Sequence, residues 1–450
     1  MLPGLLLAAV VGACGGREPV SFLVVVLDTT RADRLSCYGY GKPTTPAIDA
    51  LAQRGARFEA AFAQSSLTPV SAATILSGAN PYRHGVRSLF VVGEGKLSEA
   101  VASWPELCRA SGRRTAAFVS ARPMGAHYGL SRGFETYDDD FSETRARYAL
   151  EGFADAPQRP GDETVDRALE WLAGRAGEPF ALLVHLFDAH DASFLPPREF
   201  LEPRVSFPLP PGLGRLGDPK RFPELHRPER LVEIYDAEIA WMDMQVARLL
   251  ERLRSLGELE RTLVCVVADH GEAFGEHGFW THGILYQEQL RVPLILAGPG
   301  VPEGVAPSTR ARLADLLPTL VELLDLPLPA QPLDGASLAP FLAGSAHDAE
   351  RPVYAEVHHA PQDRLRREPE MYSLQVGDWK YIHRPASGRH ELYDLRRDPA
   401  ELENRIEREP AMARVLERRL AELGALGSAP PSLEGIPEDE LERLRALGYL

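Results

Sequence analysis

Buried-type apolar runs and amphipathic helical stretches alternate along most of this chain. Val20 to Leu27, Phe180 to Phe187, Leu263 to Ala268 and Val292 to Ala297 are largely apolar runs of the kind found in strands covered on both faces. Between them lie helical patterns. Ile48, Leu51 and Ala52 share one face after the Thr45-Pro46 start, Ser98 to Ser111 and Asp162 to Leu172 have helical spacing, and Leu313 to Leu324 follows the last run. The longest is Glu229 to Leu256, with Leu231, Ile234, Tyr235, Ile239, Met242, Val246, Leu249 and Leu250 in one stripe. Arg57 to Ala63 and Thr115 to Val119 read as further strands. Such alternation predicts an α/β fold, a mostly parallel sheet with helices on both faces.

Two regions break the rhythm. Leu195 to Pro228 is crowded with proline and glycine and has no period, so it reads as a long surface loop of the kind that forms lids. Beyond Arg351 the strands become short: Val353 to Val357, Tyr372 to Val376, Lys380 to His383 and Glu391 to Tyr393. They predict a small antiparallel sheet, followed by a charged helical tail from about Pro410.

Composition narrows the function classes. The 450 residues carry a formal charge of −15, with 44% apolar and 25% charged positions. That balance argues against a nucleic-acid binder and a polytopic membrane protein. Cys37, Cys108 and Cys265 form no framework. Leu2 to Ala13 has the length of a signal-peptide core and ends in Val11-Gly12-Ala13-Cys14-Gly15-Gly16, which resembles a bacterial lipobox. The expectation is an exported protein, periplasmic or membrane-anchored, with a lipid on Cys14. Three segments are expected: a leader over 1–19, a catalytic domain over 20–345, and an antiparallel subdomain with a helical tail over 346–450.

Candidate chemistry sits where the apolar runs end. Asp28, Asp188-Ala189-His190 and Asp269-His270 each follow a buried strand, and parallel sheets gather ligands at those ends. Ser65 to Gly78 is a helix start with Thr68 as its N-cap and Pro69 in the first turn, a position that also favours an anion or a forming alkoxide. Singly, each of these is a turn former or a cap. Together, Asp28, Thr68, Asp269 and His270 make an oxygen-rich site with one imidazole, suited to zinc or manganese rather than calcium. A second ion would sit on Asp188, His190 and His282.

The stretch Ala268-Asp269-His270-Gly271-Glu272-Ala273-Phe274-Gly275-Glu276-His277-Gly278, with Thr281-His282-Gly283, resembles the metal-binding segment of the sulfatase branch of the alkaline phosphatase superfamily. Leu27 to Asp33, Thr45 to Phe58, Pro81 to Val86, Tyr286 to Ile295 and Glu391 to Pro399 resemble further motifs in the family's order. The resemblance implies an alkaline-phosphatase-like fold and a hydrolase of small anionic esters, with one or two divalent ions.

This sequence departs from the family pattern where the chemistry is decided. Sulfatases oxidise a cysteine or serine to formylglycine; here Thr68 takes that place, and Ala72 the place of the motif's arginine. Threonine cannot give that aldehyde. Asp28-Thr29 and Asp269-His270 stand where paired aspartates and Asp-Asn are expected. The chain is therefore similar to threonine-nucleophile members, phosphodiesterases and phosphoethanolamine or phosphoglycerol transferases among them, in which a histidine placed like His282 serves a second metal or the phosphoryl group. The expected activity is ester hydrolysis through a covalent Thr68 intermediate, with phosphoesters favoured. A transferase and a non-catalytic binding homologue are the alternatives. His127 carries no assigned role.

Overall fold

The computed structural model describes residues 19–89, 95–149, 158–190, 192, 194–218, 220–344, 351–359, 368–424, 426 and 438. Leu2 to Ala13 and Cys14 lie outside them.

A seven-stranded sheet forms the middle of the molecule, in the order Gly55–Arg57, Leu294–Ala297, Thr262–Ala268, Ser21–Leu27, Phe180–Leu186, Arg114–Val119 and Thr136–Asp138. Only Leu294–Ala297 runs against the rest. The three central strands are buried at every residue, as their almost wholly apolar runs require, with His185 the one polar residue inside them. Their register aligns the strand ends: Leu27 lies beside Leu186 and Ala268, so the turns starting at Asp28, Phe187 and Asp269 leave the sheet side by side. Loops far apart in sequence are thereby brought to one sheet end.

The Thr68–Ser77 helix is buried along all of its residues and stops at Gly78, whose φ of 64° is left-handed. The Pro228–Ser255 helix packs its apolar stripe against the sheet, and both its ends fall one residue before those of the predicted Glu229–Leu256 stretch. In the C-terminal region, Val353–His358, Glu370–Val376, Trp379–Arg384 and Arg389–Asp394 form an antiparallel meander. One face joins the main core through Ala355, Val357, Met371, Ile382 and Tyr393. The other takes Met412, Val415, Leu416 and Leu420 of the Pro410–Glu422 helix. Fold class and C-terminal sheet thus agree with the sequence pattern.

Several predicted elements change. The Ser98–Ser111 helix begins only at Trp104, because the Glu106 carboxylate accepts the Ser103 N–H at 2.9 Å and Pro105 fixes the first turn. Arg57 to Ala63 divides into Gly55–Arg57 in the main sheet and Ala60–Phe62 in a separate three-stranded sheet. Pro293 similarly separates Arg291–Val292 from Leu294–Ala297. The Leu195–Pro228 stretch is a packed lobe rather than a bare surface loop: Leu195, Leu201, Leu209, Leu213, Phe222 and Leu225 bury together against Ile234 and Ala237 of the long helix. Its apolar residues are irregularly spaced, so periodicity cannot reveal them.

Candidate active site and metal centre

Asp28 ends the Ser21–Leu27 strand, is fully buried, and its Oδ2 accepts a hydrogen bond from His185 Nε2 at 2.9 Å. The Ser120 N–H points at His185 Nδ1, 3.4 Å away, so the proton belongs on Nε2. Burial pulls His185 down to about 4, so it serves Asp28 as a neutral donor. Sequence reasoning missed this residue; its one signal is a histidine inside the otherwise apolar Phe180–Leu186 strand.

The next residue, Thr29, has a φ of 50°, a strained conformation for a β-branched side chain. The bend lets its N–H donate to Asp269 Oδ1 at 3.1 Å. Tyr235 on the long helix holds the bend, donating to Thr29 O at 2.7 Å and accepting from the Arg31 N–H at 2.9 Å. Asp269 Oδ1 also accepts the His270 N–H at 2.8 Å. Asp28 Oδ1 and Asp269 Oδ2 are buried without a hydrogen-bond partner. Burial and the facing Asp269 carboxylate hold Asp28 well above the usual carboxylate range.

His270 completes the group. Its Nδ1 donates to Gly271 O at 3.0 Å, which leaves the Nε2 lone pair facing the site. That Nε2 is 3.3 Å from Thr68 Oγ1. Asp28, Asp269 and His270 present ligand atoms all within 4.8 Å of one another. Two orphaned acidic oxygens and an aimed imidazole lone pair, buried together, fit a divalent cation.

Thr68 is not the N-cap its sequence position implied. Leu67 occupies that place with an extended backbone, Thr68 is the first helical residue, and its hydroxyl turns to His270. Ser71 Oγ donates to Ser65 O at 2.9 Å and ties down the approaching loop. The Thr68 hydroxyl is therefore at the positive end of a helix and released from a capping duty. Ala72, at the position of the sulfatase arginine, is buried in that helix.

His282 donates from Nδ1 to Ser66 O at 2.8 Å, and its Nε2 lies 3.0 Å from His190 Nε2. Its ring centroid is 4.5 Å from that of His270, so the two imidazoles flank the Thr68 approach. Asp188 is placed apart from this pair. Its Oδ1 accepts the Gly161 N–H at 3.1 Å at the start of the Gly161–Ala173 helix, and a Cβ on Gly161 would meet its Oδ2 at 2.2 Å. Burial raises Asp188 to about 7. The structure brings together Asp28, Thr68, Asp269 and His270, with the His190–His282 pair beside His270; Asp188 faces a helix terminus instead.

A sulfatase family model matches residues 21–326, and a model of the N-sulphoglucosamine sulphohydrolase C-terminal region matches residues 275–426. This chain belongs to the sulfatase family. Members are hydrolases acting on ester bonds, and so is this one. Among relatives of this sulfatase-family protein is a Delta 4,5-hexuronate-2-O-sulfatase of Bacteroides thetaiotaomicron, 27% identical, with 90% of this chain and 88% of the relative covered. An N-acetylglucosamine-6-O-sulfatase of the same organism is 24% identical over 86% and 82% of the two chains. The fold matches a structure solved in complex with its substrate D-glucosamine-2-N,6-O-disulfate, at a TM-score of 0.73 and 20% identity over 93% of this chain and 100% of the other. It also matches a phosphonate monoester hydrolase of Agrobacterium radiobacter, at a TM-score of 0.68 and 22% identity over 90% and 96%.

Proposed function

We propose that this sulfatase-family hydrolase cleaves small anionic esters with Thr68 as its nucleophile, phosphate esters in preference to sulfate esters. One observation carries the reading: Thr68 Oγ1 stands at the head of its helix, 3.3 Å from His270 Nε2 and beside the Asp28–Asp269 pair. A threonine cannot become formylglycine, so its alcohol must attack directly. Asp28, Asp269 and His270 would hold the divalent ion, zinc or manganese by the nitrogen in the donor set. When bound, that ion offsets the paired carboxylates and lowers the pKa of the Thr68 hydroxyl.

With the ion bound, the Thr68 hydroxyl would give up its proton to water, and its Oγ would form a bond to phosphorus or sulfur as the bond to the ester oxygen breaks. A His190–His282 pair that has taken up one extra proton would deliver it to the departing alcohol oxygen, leaving both rings neutral. Water then hydrolyses the Thr68 ester. The strained Thr29 turn and the His185 contact keep Asp28 and Asp269 in place throughout.

The experiment is turnover of matched phosphate, phosphonate and sulfate esters by the purified protein supplied with zinc, manganese or calcium, followed by mass spectrometry of the quenched enzyme. A Thr68 adduct on a phosphate ester supports the reading. Full activity without metal, or an adduct elsewhere, refutes it. We further propose export on the strength of the Leu2 to Cys14 leader, to be checked by cell fractionation and by mass measurement of the mature N-terminus.

A further inference from the structure

Outside the Thr68 site, two further groups of histidine and acidic side chains bring ligand atoms within 4.8 Å of one another among the described residues. His277, Glu288 and Glu401 form the first, but Lys380 Nζ lies 2.7 Å from Glu401 and already supplies a cation there. His383, His390 and Glu417 form the second, and their spacing is that of ligands around a small ion.

A hairpin places the two histidines. His383 on Trp379–Arg384 and His390 on Arg389–Asp394 are directly opposite in the antiparallel register, so their side chains leave the same face of the meander. Tyr381 and Leu392, two residues along each strand, share that face and pack under the Pro410–Glu422 helix. Glu417 comes from that helix, next to the buried Leu416, at the rim where helix and hairpin meet. All three side chains are half-buried, so the interface shelters them while an ion can still reach them from solvent.

His383 Nδ1 lies 3.2 Å from His390 Nδ1. Two ligands of a tetrahedral zinc, each about 2.0 Å from the ion, stand about 3.3 Å apart. With both ring protons on Nε2, two lone pairs face each other across a gap of that size, and a Glu417 oxygen lies within 4.8 Å of both. The Tyr381 hydroxyl is 2.5 Å from His390 Nδ1 and also hydrogen-bonds Glu417, so it holds two of the three ligands in place. Arg418, beside Glu417 on the helix, is engaged by Glu422 at 2.8 Å. Two imidazoles and one carboxylate suit zinc, whereas calcium and magnesium take oxygen ligands.

We propose that His383, His390 and Glu417 bind a zinc ion that ties the Pro410–Glu422 helix to the C-terminal meander, with water in the fourth position. The site takes no residue from the Asp28–Thr68–Asp269–His270 group and is independent of how Thr68 acts. Its ligands come together only when helix and hairpin are packed, so the ion stabilises that packing.

The test uses tag-free, full-length protein stripped with a chelator and titrated with zinc chloride, in an Asp28→Asn background that disables the reaction centre. One equivalent should bind with a dissociation constant of about 1 μM or lower. Glu417→Gln should weaken that equivalent at least about tenfold, and His383→Ala should abolish it. Zinc should also protect the helix from trypsin, which cuts after Arg414, Arg418 and Arg419, and Glu417→Gln should remove the protection. No binding, binding weaker than the stated constant, or binding that both variants leave unchanged overturns the proposal. If His383→Ala fails to fold, Glu417→Gln decides alone, since it alters no strand residue.

Discussion

Two buried acidic clusters in this protein solve the same electrostatic problem differently. Near the C-terminal sheet, Glu401 is almost wholly buried and has Lys380 Nζ at 2.7 Å, with the lysine equally buried. The Gln287 N–H donates to its other oxygen at 2.6 Å. That cluster carries its own counterion and joins the meander to the Tyr286 segment. At Thr68, Asp28 and Asp269 face each other among neutral donors, with His185, the Thr68 hydroxyl and backbone N–H groups around them and no cationic side chain bonded to either, among the described residues. A buried charge without a partner is costly, so the first arrangement serves structure and the second fits the divalent ion proposed above.

The comparison can be broken by mutation. Thr68→Ala should have the largest effect, lowering kcat by on the order of a thousandfold or more while metal content stays stoichiometric; retained turnover would remove the nucleophile from the account. Lys380→Met should cost about 3–5 kcal/mol in urea unfolding, because Glu401 loses its buried partner, and Glu401→Gln in that background should recover part of it. Asp28→Asn acts in the other direction. The metal-free variant should be about 1 kcal/mol more stable than metal-free wild type at pH 8, since one of two facing charges is gone, and should bind no metal at this centre.

A pH-dependent effect concerns a buried polar group outside both clusters. His84 accepts the Val86 N–H at Nδ1 and pairs with Thr74 through Nε2, and burial pushes it down to about 3. The unfolded chain takes up this proton near the ordinary histidine range and the folded chain only near pH 3. Stability should therefore fall as pH drops through that window, and His84→Gln should show a shallower slope in urea midpoints measured from pH 7 to 4.

Much of the fold was legible because parallel-sheet strands buried on both faces are largely apolar runs. The Ser21–Leu27, Phe180–Leu186 and Thr262–Ala268 strands show this directly. The Leu195–Pro228 lobe was not, since its apolar residues pack without a period. The helix start at Trp104 was misplaced because local capping by Ser103 and Glu106 outweighed the longer helical pattern.

For the site, the turns after buried strands marked Asp28, Asp269 and His270 as candidates, a helix start marked Thr68, and the family resemblance of the glycine-rich stretch at 268–278 and its extension added His282. The sequence alone also shows that the residue the family resemblance puts at the nucleophile position, Thr68, is one that cannot yield formylglycine, a property of its side chain that needs no neighbours. Only the tertiary structure decided which of these groups meet. It put His185 behind Asp28 from the adjacent strand, turned Thr68 away from capping and toward His270, and sent Asp188 to the Gly161 N–H while His190 joined His282. Strand register and rotamer choice are set by packing against residues distant in the chain, and a one-dimensional pattern carries no information about them.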